Sequence, residues 1–258
     1  MTLRVATWNV NSIRAREERL VALLARHAPD VLCLQELKVQ DDAFPHEAVR
    51  AAGYYAATHG QKTYNGVAIL ARAEPEDVVI GLGDGVEDPQ ARLVAARVRG
   101  VRVLSAYVPN GGEVGSDKWA YKLAWLDRLR RHLEARFTPG EQFVLCGDIN
   151  VAPDDLDVKN PEAWKDTVLC HPEARARFQA LLEWGLRDAL RKHHPDGGVY
   201  SWWDYRQLGF PKNDGLRIDH VLATDSLAAR STAASVDRQE RKGKGASDHA
   251  PVIVDFDV

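Results

Sequence analysis

An α/β sandwich, two packed sheets flanked by helices, is the architecture predicted for this chain. Short apolar runs of strand length recur from the first residues to the last, helical periodicities punctuate them, and no composition break or Ser/Gly-rich linker divides the 258 residues. A single domain over 1–258 is therefore expected. Residues 3–10 read as the first strand, ending in Asn9-Val10-Asn11. Ser12 is placed to cap a helix running to about His27, with Leu20, Leu23 and Leu24 at core spacing and Pro29 as its stop. Val31-Leu32-Cys33-Leu34 is a short apolar strand that ends abruptly in Gln35-Glu36, and residues 66–70 form another. Leu93–Val98 and Val101–Tyr107 read as neighbours joined by a turn near Gly100. Residues 118–137 give the clearest helix, with Leu126, Leu129 and Leu133 on one face and arginines on the other. Phe143-Val144-Leu145-Cys146 is an apolar strand ending in Gly147-Asp148-Ile149-Asn150, and a helix follows over 173–184. Residues 216–223 and 251–258 are the last two strands.

Apolar residues make up 45% of the chain and charged residues 28%, the balance of an ordinary globular protein large enough to hold its core without disulfides. The cysteines Cys33, Cys146 and Cys170 lack metal-type spacing, and Cys33 and Cys146 sit in apolar runs, so buried free thiols in a reducing compartment are expected. The N-terminus, Met1 onward, runs straight into a strand pattern without a signal peptide, and no fused segment is expected before it. No apolar stretch reaches the ~20 residues of a membrane span. A cytoplasmic, monomeric protein with no membrane partner is the expectation. The net charge of −3 argues against a uniformly basic nucleic-acid binder. Arg238, Arg241, Lys242 and Lys244 nevertheless crowd one stretch that could grip phosphates while carboxylates elsewhere pull the total down.

The informative feature is polar residues at the ends of buried strands. Asn9 follows Val5-Ala6-Thr7-Trp8, Glu36 follows Val31-Leu32-Cys33-Leu34-Gln35, Asp148 and Asn150 follow Phe143-Val144-Leu145-Cys146. Asp219 interrupts an apolar run, and Ser247-Asp248-His249 precedes Pro251-Val252-Ile253-Val254. Any one of these is commonly a turn former or helix cap. Glu36 is harder to explain that way, because a carboxylate against an apolar strand needs a partner or a metal. Oxygen-bearing groups without a His- or Cys-rich cluster point to a hard cation, Mg²⁺ or Mn²⁺, and such a pocket suits phosphate chemistry. A carboxylate such as Asp219 beside His249 would hold the ring in one tautomer and favour its charged form.

The segments Trp8-Asn9-Val10-Asn11, Leu34-Gln35-Glu36-Leu37-Lys38, Tyr107-Val108-Pro109-Asn110-Gly111, Gly147-Asp148-Ile149-Asn150, Ser201-Trp202-Trp203-Asp204-Tyr205-Arg206, Gly215-Leu216-Arg217-Ile218-Asp219 and Ser247-Asp248-His249-Ala250-Pro251 occur in this order. The ordered set, with His59-Gly60-Gln61-Lys62, resembles the exonuclease III family of abasic-site endonucleases across essentially the whole chain. The resemblance implies a four-layer α/β sandwich of two mixed sheets, like that of pancreatic deoxyribonuclease, with the active site at one edge. It further implies metal-dependent hydrolysis of double-stranded DNA 5′ to abasic sites, with exonuclease and phosphatase action at blocked 3′ ends. Glu36 is implied as principal metal ligand, with Asn9, Asp248, Asp148 and Asn150 around it. Asp148 would move the proton of the attacking water or leaving oxygen, and Asn150 would orient it. Tyr107 and His249 would hold the phosphate, with Asp219 aligning the histidine. Trp202, Trp203 and Leu216 would line a pocket for an extruded baseless sugar. Asn110, Arg92, Lys118 and Arg206 are implied DNA contacts. Leu37 departs from the threonine of many members, a change of packing only.

Two competing readings follow from the same residues. A relative acting on a lipid or inositol phosphate would keep Glu36, Asp148, Asn150, Asp248 and His249 without needing the tryptophan segment. An inactive DNA-binding module would show erosion at Glu36, Asp148 or His249, and none is eroded.

Overall fold

The computed structural model describes residues 2–258, the side chain of Gln207 excepted; Met1 lies outside the described residues. Its strands are β1 (Thr2–Asn9), β2 (Val31–Gln35), β3 (Tyr55–His59), β4 (Val67–Ala71), β5 (Glu76–Ile80), β6 (Leu93–Val98), β7 (Val101–Tyr107), β8 (Phe143–Asp148), β9 (Leu186–Asp188), β10 (Asp219–Thr224), β11 (Ser231–Val236) and β12 (Val252–Asp257). They form two six-stranded sheets, ordered β11-β12-β1-β2-β4-β3 and β5-β6-β7-β8-β10-β9. Both sheets are mixed: β1–β2 and β7–β8 pair in parallel, the other neighbours antiparallel.

Strand alternation sorts each apolar run between two cores. Val31 and Cys33 join Val144, Cys146, Val94 and Val254 between the sheets, where small and β-branched residues let the layers approach. Leu32 and Leu34 face the other way, onto Leu20, Leu23 and Leu24 of the helix Ile13–His27. Phe143 and Leu145 pack on Leu126, Leu129 and Leu133 of the helix Asp117–Arg136 and on Phe178 of the helix Pro172–Glu183. Helices, sheet, sheet and helices therefore make the four expected layers. All three cysteines are buried and free. Among the described residues no helix is long and apolar enough to cross a membrane.

Differences from the sequence reading are local. Ser12 has φ 89° and its side chain caps nothing. The first turn of that helix is instead docked through backbone bonds, Ser12 N–H to Glu36 O at 2.8 Å and Ile13 N–H to Leu37 O at 3.1 Å. The strand expected over 216–223 begins at Asp219, and Leu216 makes only isolated bridges, with Val158 and Trp202. Four strands carried no readable signal: β3, β5, β9 and β11. They are the four outer edges of the two sheets. An edge strand need not be apolar on both faces, and β5 is exposed along its whole length.

Candidate active site

The fold brings polar strand ends to one rim by register. Tyr107, Asp148 and Asp219 are direct partners across β7, β8 and β10, and Asn9 lies opposite Gln35 on the paired sheet, one residue before Glu36. His249 sits just ahead of β12, held by its own N–H on Ser247 Oγ at 3.2 Å, while that hydroxyl donates to Asn9 O at 2.7 Å. Glu36 has φ 54° and Asn150 φ 53°, so both turn out of their strands in the left-handed region.

The carboxylate of Glu36 accepts from Asn9 Nδ2 at 2.8 Å and from the Tyr107 hydroxyl at 2.9 Å on one oxygen, and from Lys38 Nζ at 2.9 Å on the other. Asp148 accepts from Asn9 Nδ2 at 2.9 Å and from the Asn150 N–H at 3.0 Å. His249 places Nδ1 2.8 Å from Asp219 and Nε2 3.7 Å from Asp148. Asp219 is fixed in turn by the Ser201 hydroxyl at 2.6 Å. Glu36, Asp148 and His249 offer ligand atoms all within 4.8 Å of one another, a possible metal site.

Burial opposes a charge on His249, yet Asp219 and Asp148 outweigh it and push the imidazole up to about 10. Burial pushes the Asp148 carboxyl well above the usual carboxylate range, aided by Asp219 and Glu36 and opposed by His249. Burial also acts to raise Glu36, but Lys38 and Asn9 overcome it and leave its carboxyl below its ordinary value. Tyr107 is pushed well up, by burial first and then by Glu36 and Asp148, so it donates rather than ionises. One carboxyl thus stays charged beside another whose proton affinity is raised, the division that acid–base chemistry at one centre requires.

The donor set fits a hard divalent cation. Of the three groups, Glu36 and Asp148 offer carboxylate oxygens, the donors such a cation prefers, and the surrounding carboxylates exceed the cations. Asn9, expected near the metal, bridges the two carboxylates through its amide. Its oxygen accepts from the Asn11 N–H at 2.9 Å, which turns its amino group toward both carboxylates. The Asn150 amide is likewise engaged, donating to Val108 O at 3.0 Å and accepting from Asn110 Nδ2 at 3.1 Å. Asp248 stands outside the tight group, accepting from Asn11 Nδ2 at 2.9 Å and Trp202 Nε1 at 3.0 Å.

Among the expected DNA contacts, Trp202 is half-buried at the rim, its ring edge-on to Trp164 at 5.7 Å. It lines a cavity of about 580 Å³ with Asn110, Trp164, Val168 and Arg206. Trp203 does not join it. It is fully buried against Tyr200 and Ala250, because the next residue of an extended segment faces the opposite way. Leu216 is also fully buried, in the core that Trp202 packs against. Arg92 donates to Tyr107 O at 3.1 Å and lies 4.7 Å over the Tyr107 ring, so it props Tyr107 as well as lining a groove with Lys118 and Asn110. Arg206 is paired with Asp204 at 2.8 Å. In the basic stretch Arg238 lies over Trp203 and Phe210, and Arg241 over Tyr205 and Phe210, while Arg238, Lys242 and Lys244 stay exposed. Lys38, Asn11 and Ser201 have no role in the sequence reading although each lies inside a quoted motif; Asn11 and Ser201 meet Asp248 and Asp219 from other segments, whereas Lys38 pairs with Glu36 two residues away.

Residues 6–249 match the endonuclease/exonuclease/phosphatase family. Exodeoxyribonuclease III of Haemophilus influenzae is 36% identical over 98% of this chain and 100% of its own length. The chain belongs to this family, in its exonuclease III branch. Two solved structures of the family superpose closely. One is an AP endonuclease from Archaeoglobus fulgidus, 41% identical, TM-score 0.96, covering 99% of this chain and 100% of its own. The other is a 3′ phosphatase from Neisseria bound to a product DNA hairpin, 43% identical, TM-score 0.95, with the same coverage. The exonuclease III branch is thus similar in its whole fold to proteins named for two different DNA reactions.

Proposed function

We propose that this chain is a DNA repair hydrolase, one catalytic domain over 1–258, that cuts phosphodiesters of double-stranded DNA 5′ to abasic sites and clears blocked 3′ ends. It works with Mg²⁺ or Mn²⁺, as a monomer in the cytoplasm. The observation that carries this reading is His249 held between Asp219 and Asp148 beside the Glu36 carboxylate.

Glu36 and Asp148 would hold the metal, which when bound neutralises charge developing on the phosphate oxygens. The His249 imidazolium donates to the scissile phosphate, aimed by Asp219 on its far side, and the Tyr107 hydroxyl, whose ring lies under Arg92, exchanges its bond to Glu36 for one to the phosphate. Water attacks phosphorus and gives its proton to Asp148, whose raised proton affinity suits a base. The P–O3′ bond breaks, and the leaving 3′ oxygen takes up a proton to become a hydroxyl. Asn150 orients Asp148 through its backbone N–H, and Asn9 keeps Glu36 and Asp148 apart in fixed positions. Trp202 provides an apolar wall for a sugar that has lost its base.

The test is a duplex bearing one abasic analogue, incubated with Mg²⁺ and then with EDTA. Incision 5′ to the analogue that the chelator abolishes is expected. Intact duplex with Mg²⁺, or incision that survives EDTA, would overturn the reading.

A further inference from the structure

Lys122, on the helix Asp117–Arg136, is fully buried, a rare state for an ammonium. Its Nζ donates to three backbone carbonyls: Asn150 O at 2.6 Å, Val168 O at 2.6 Å and Asn110 O at 3.1 Å. Among the described residues no carboxylate pairs with it. Burial pulls its pKa down while Asp148 pulls it back. Three acceptors around one nitrogen require three N–H donors, which only the ammonium has.

Those carbonyls belong to three separate loops, and each loop ends in the site. Asn150 gives its N–H to Asp148, and Asn110 gives its amide to the Asn150 side chain at 3.1 Å. Val168 lines the cavity beside Trp202. Asn150 sits in the left-handed region, a conformation that persists only when its surroundings impose it. The bond to its carbonyl is one such constraint. The neighbouring chain is shaped for the lysine too: at Gly111, φ 99°, an added Cβ would meet Lys122 Cδ at 2.9 Å and Trp119 at 3.2 Å. A buried charge is costly, and an apolar side chain of similar volume would fill the space at less expense to the fold.

We propose that Lys122 is a positioning residue, whose grip on the Asn110, Asn150 and Val168 carbonyls holds the Asn110–Asn150 pair, and through it Asp148, in the reactive arrangement. It touches neither substrate nor metal. Its effect belongs to the turnover step and not to DNA binding. The proposal draws on the nuclease reading only for its kinetic test.

Lys122→Met keeps the length and removes the donors. On an abasic duplex its kcat should fall about hundredfold, the scale of a small misplacement, with KM within about threefold. Hydrogen exchange at the Asn150 N–H should quicken at least about tenfold, with the buried helix amides around Leu126 and Leu129 unchanged. Lys122→Arg, which restores donors, should recover at least about tenfold of the lost kcat. A folded Met variant with wild-type kcat, a loss carried by KM alone, or unaltered exchange at Asn150 would each overturn the proposal. Should the Met variant not fold, Lys122→Gln, which keeps two N–H donors, decides by the same readings: a reduced kcat with KM little changed is expected, and a wild-type kcat would overturn the proposal. Wild-type protein that cuts no duplex would sink the nuclease reading alone, since Asn150 exchange still judges Lys122.

Discussion

Arg217 and Asp219 are two residues apart in the chain, and each sits at the heart of a buried cluster of charge. Around Arg217 the charges are matched. Its guanidinium bonds Asp157 at 2.6 Å and Asp188 at 2.6 Å, and Arg191 also reaches Asp157. Burial acts to raise Asp188, but Arg217 and His220 hold its carboxyl far below the ordinary range. Around Asp219 they are not matched. Among the described residues, Glu36, Asp148, Asp219 and Asp248 find ion-pair partners only in Lys38 and His249, and at similar depth Asp148 is pushed the opposite way. A saturated cluster ties loops together. An unsaturated one stores unfavourable negative charge that a cation can relieve, so function lies where the pairing is incomplete.

That contrast predicts opposite phenotypes. Asp148→Asn should lower incision of an abasic duplex by about 10²–10⁴ while duplex binding persists, measured by gel assay and by titration of labelled duplex. Near-normal cutting would remove its role. The same change should leave the melting temperature of metal-free protein unchanged or higher, because a disfavoured buried charge is gone. Arg217→Met should do the reverse, destabilising by about 3–5 kcal/mol, because Asp188 loses its guanidinium and Asp157 keeps only Arg191. Denaturant unfolding checks it, and a fold left intact would mean that Asp157 and Asp188 find other partners. Glu36→Ala should shift the Mg²⁺ dependence of cutting about tenfold or more to higher concentration. An identical titration would reassign the ligand. Trp202→Ala should impair abasic incision more than removal of a 3′ phosphate, and equal losses would make the residue purely structural.

The smallest effect is a pH slope. The folded state raises the pKa of Asp148 above its unfolded value, so between those values the folded protein holds more protons. Its contribution to stability is present below the unfolded pKa and is lost as pH rises through the elevated one. In EDTA, wild-type melting temperature should therefore decline across that window more steeply than that of Asp148→Asn. Parallel profiles would place the elevated proton affinity elsewhere.

Legibility in the sequence followed burial. The eight inner strands announce themselves because both of their faces are covered, so runs such as Val31-Leu32-Cys33-Leu34 have no polar option. β3, β5, β9 and β11, the sheet edges, were silent because one face or both may be polar there. The site residues were legible for the converse reason: Glu36, Asp148 and Asp219 are groups that a core strand does not otherwise tolerate.

Sequence by itself determined which residues are apolar on which beat, where the inner strands stop, and which acids and amides sit at those stops. Only the tertiary structure decided that Tyr107, Asp148 and Asp219 share one rung, that Asn9 presents its amino group, that Trp203 is core while Trp202 is rim, and that Lys122 joins three loops. Periodicity is a property of neighbours along the chain, whereas register, amide orientation and the pairing of buried charge depend on partners from other strands and loops, often a hundred or more residues away, as for Asn9 and Asp148.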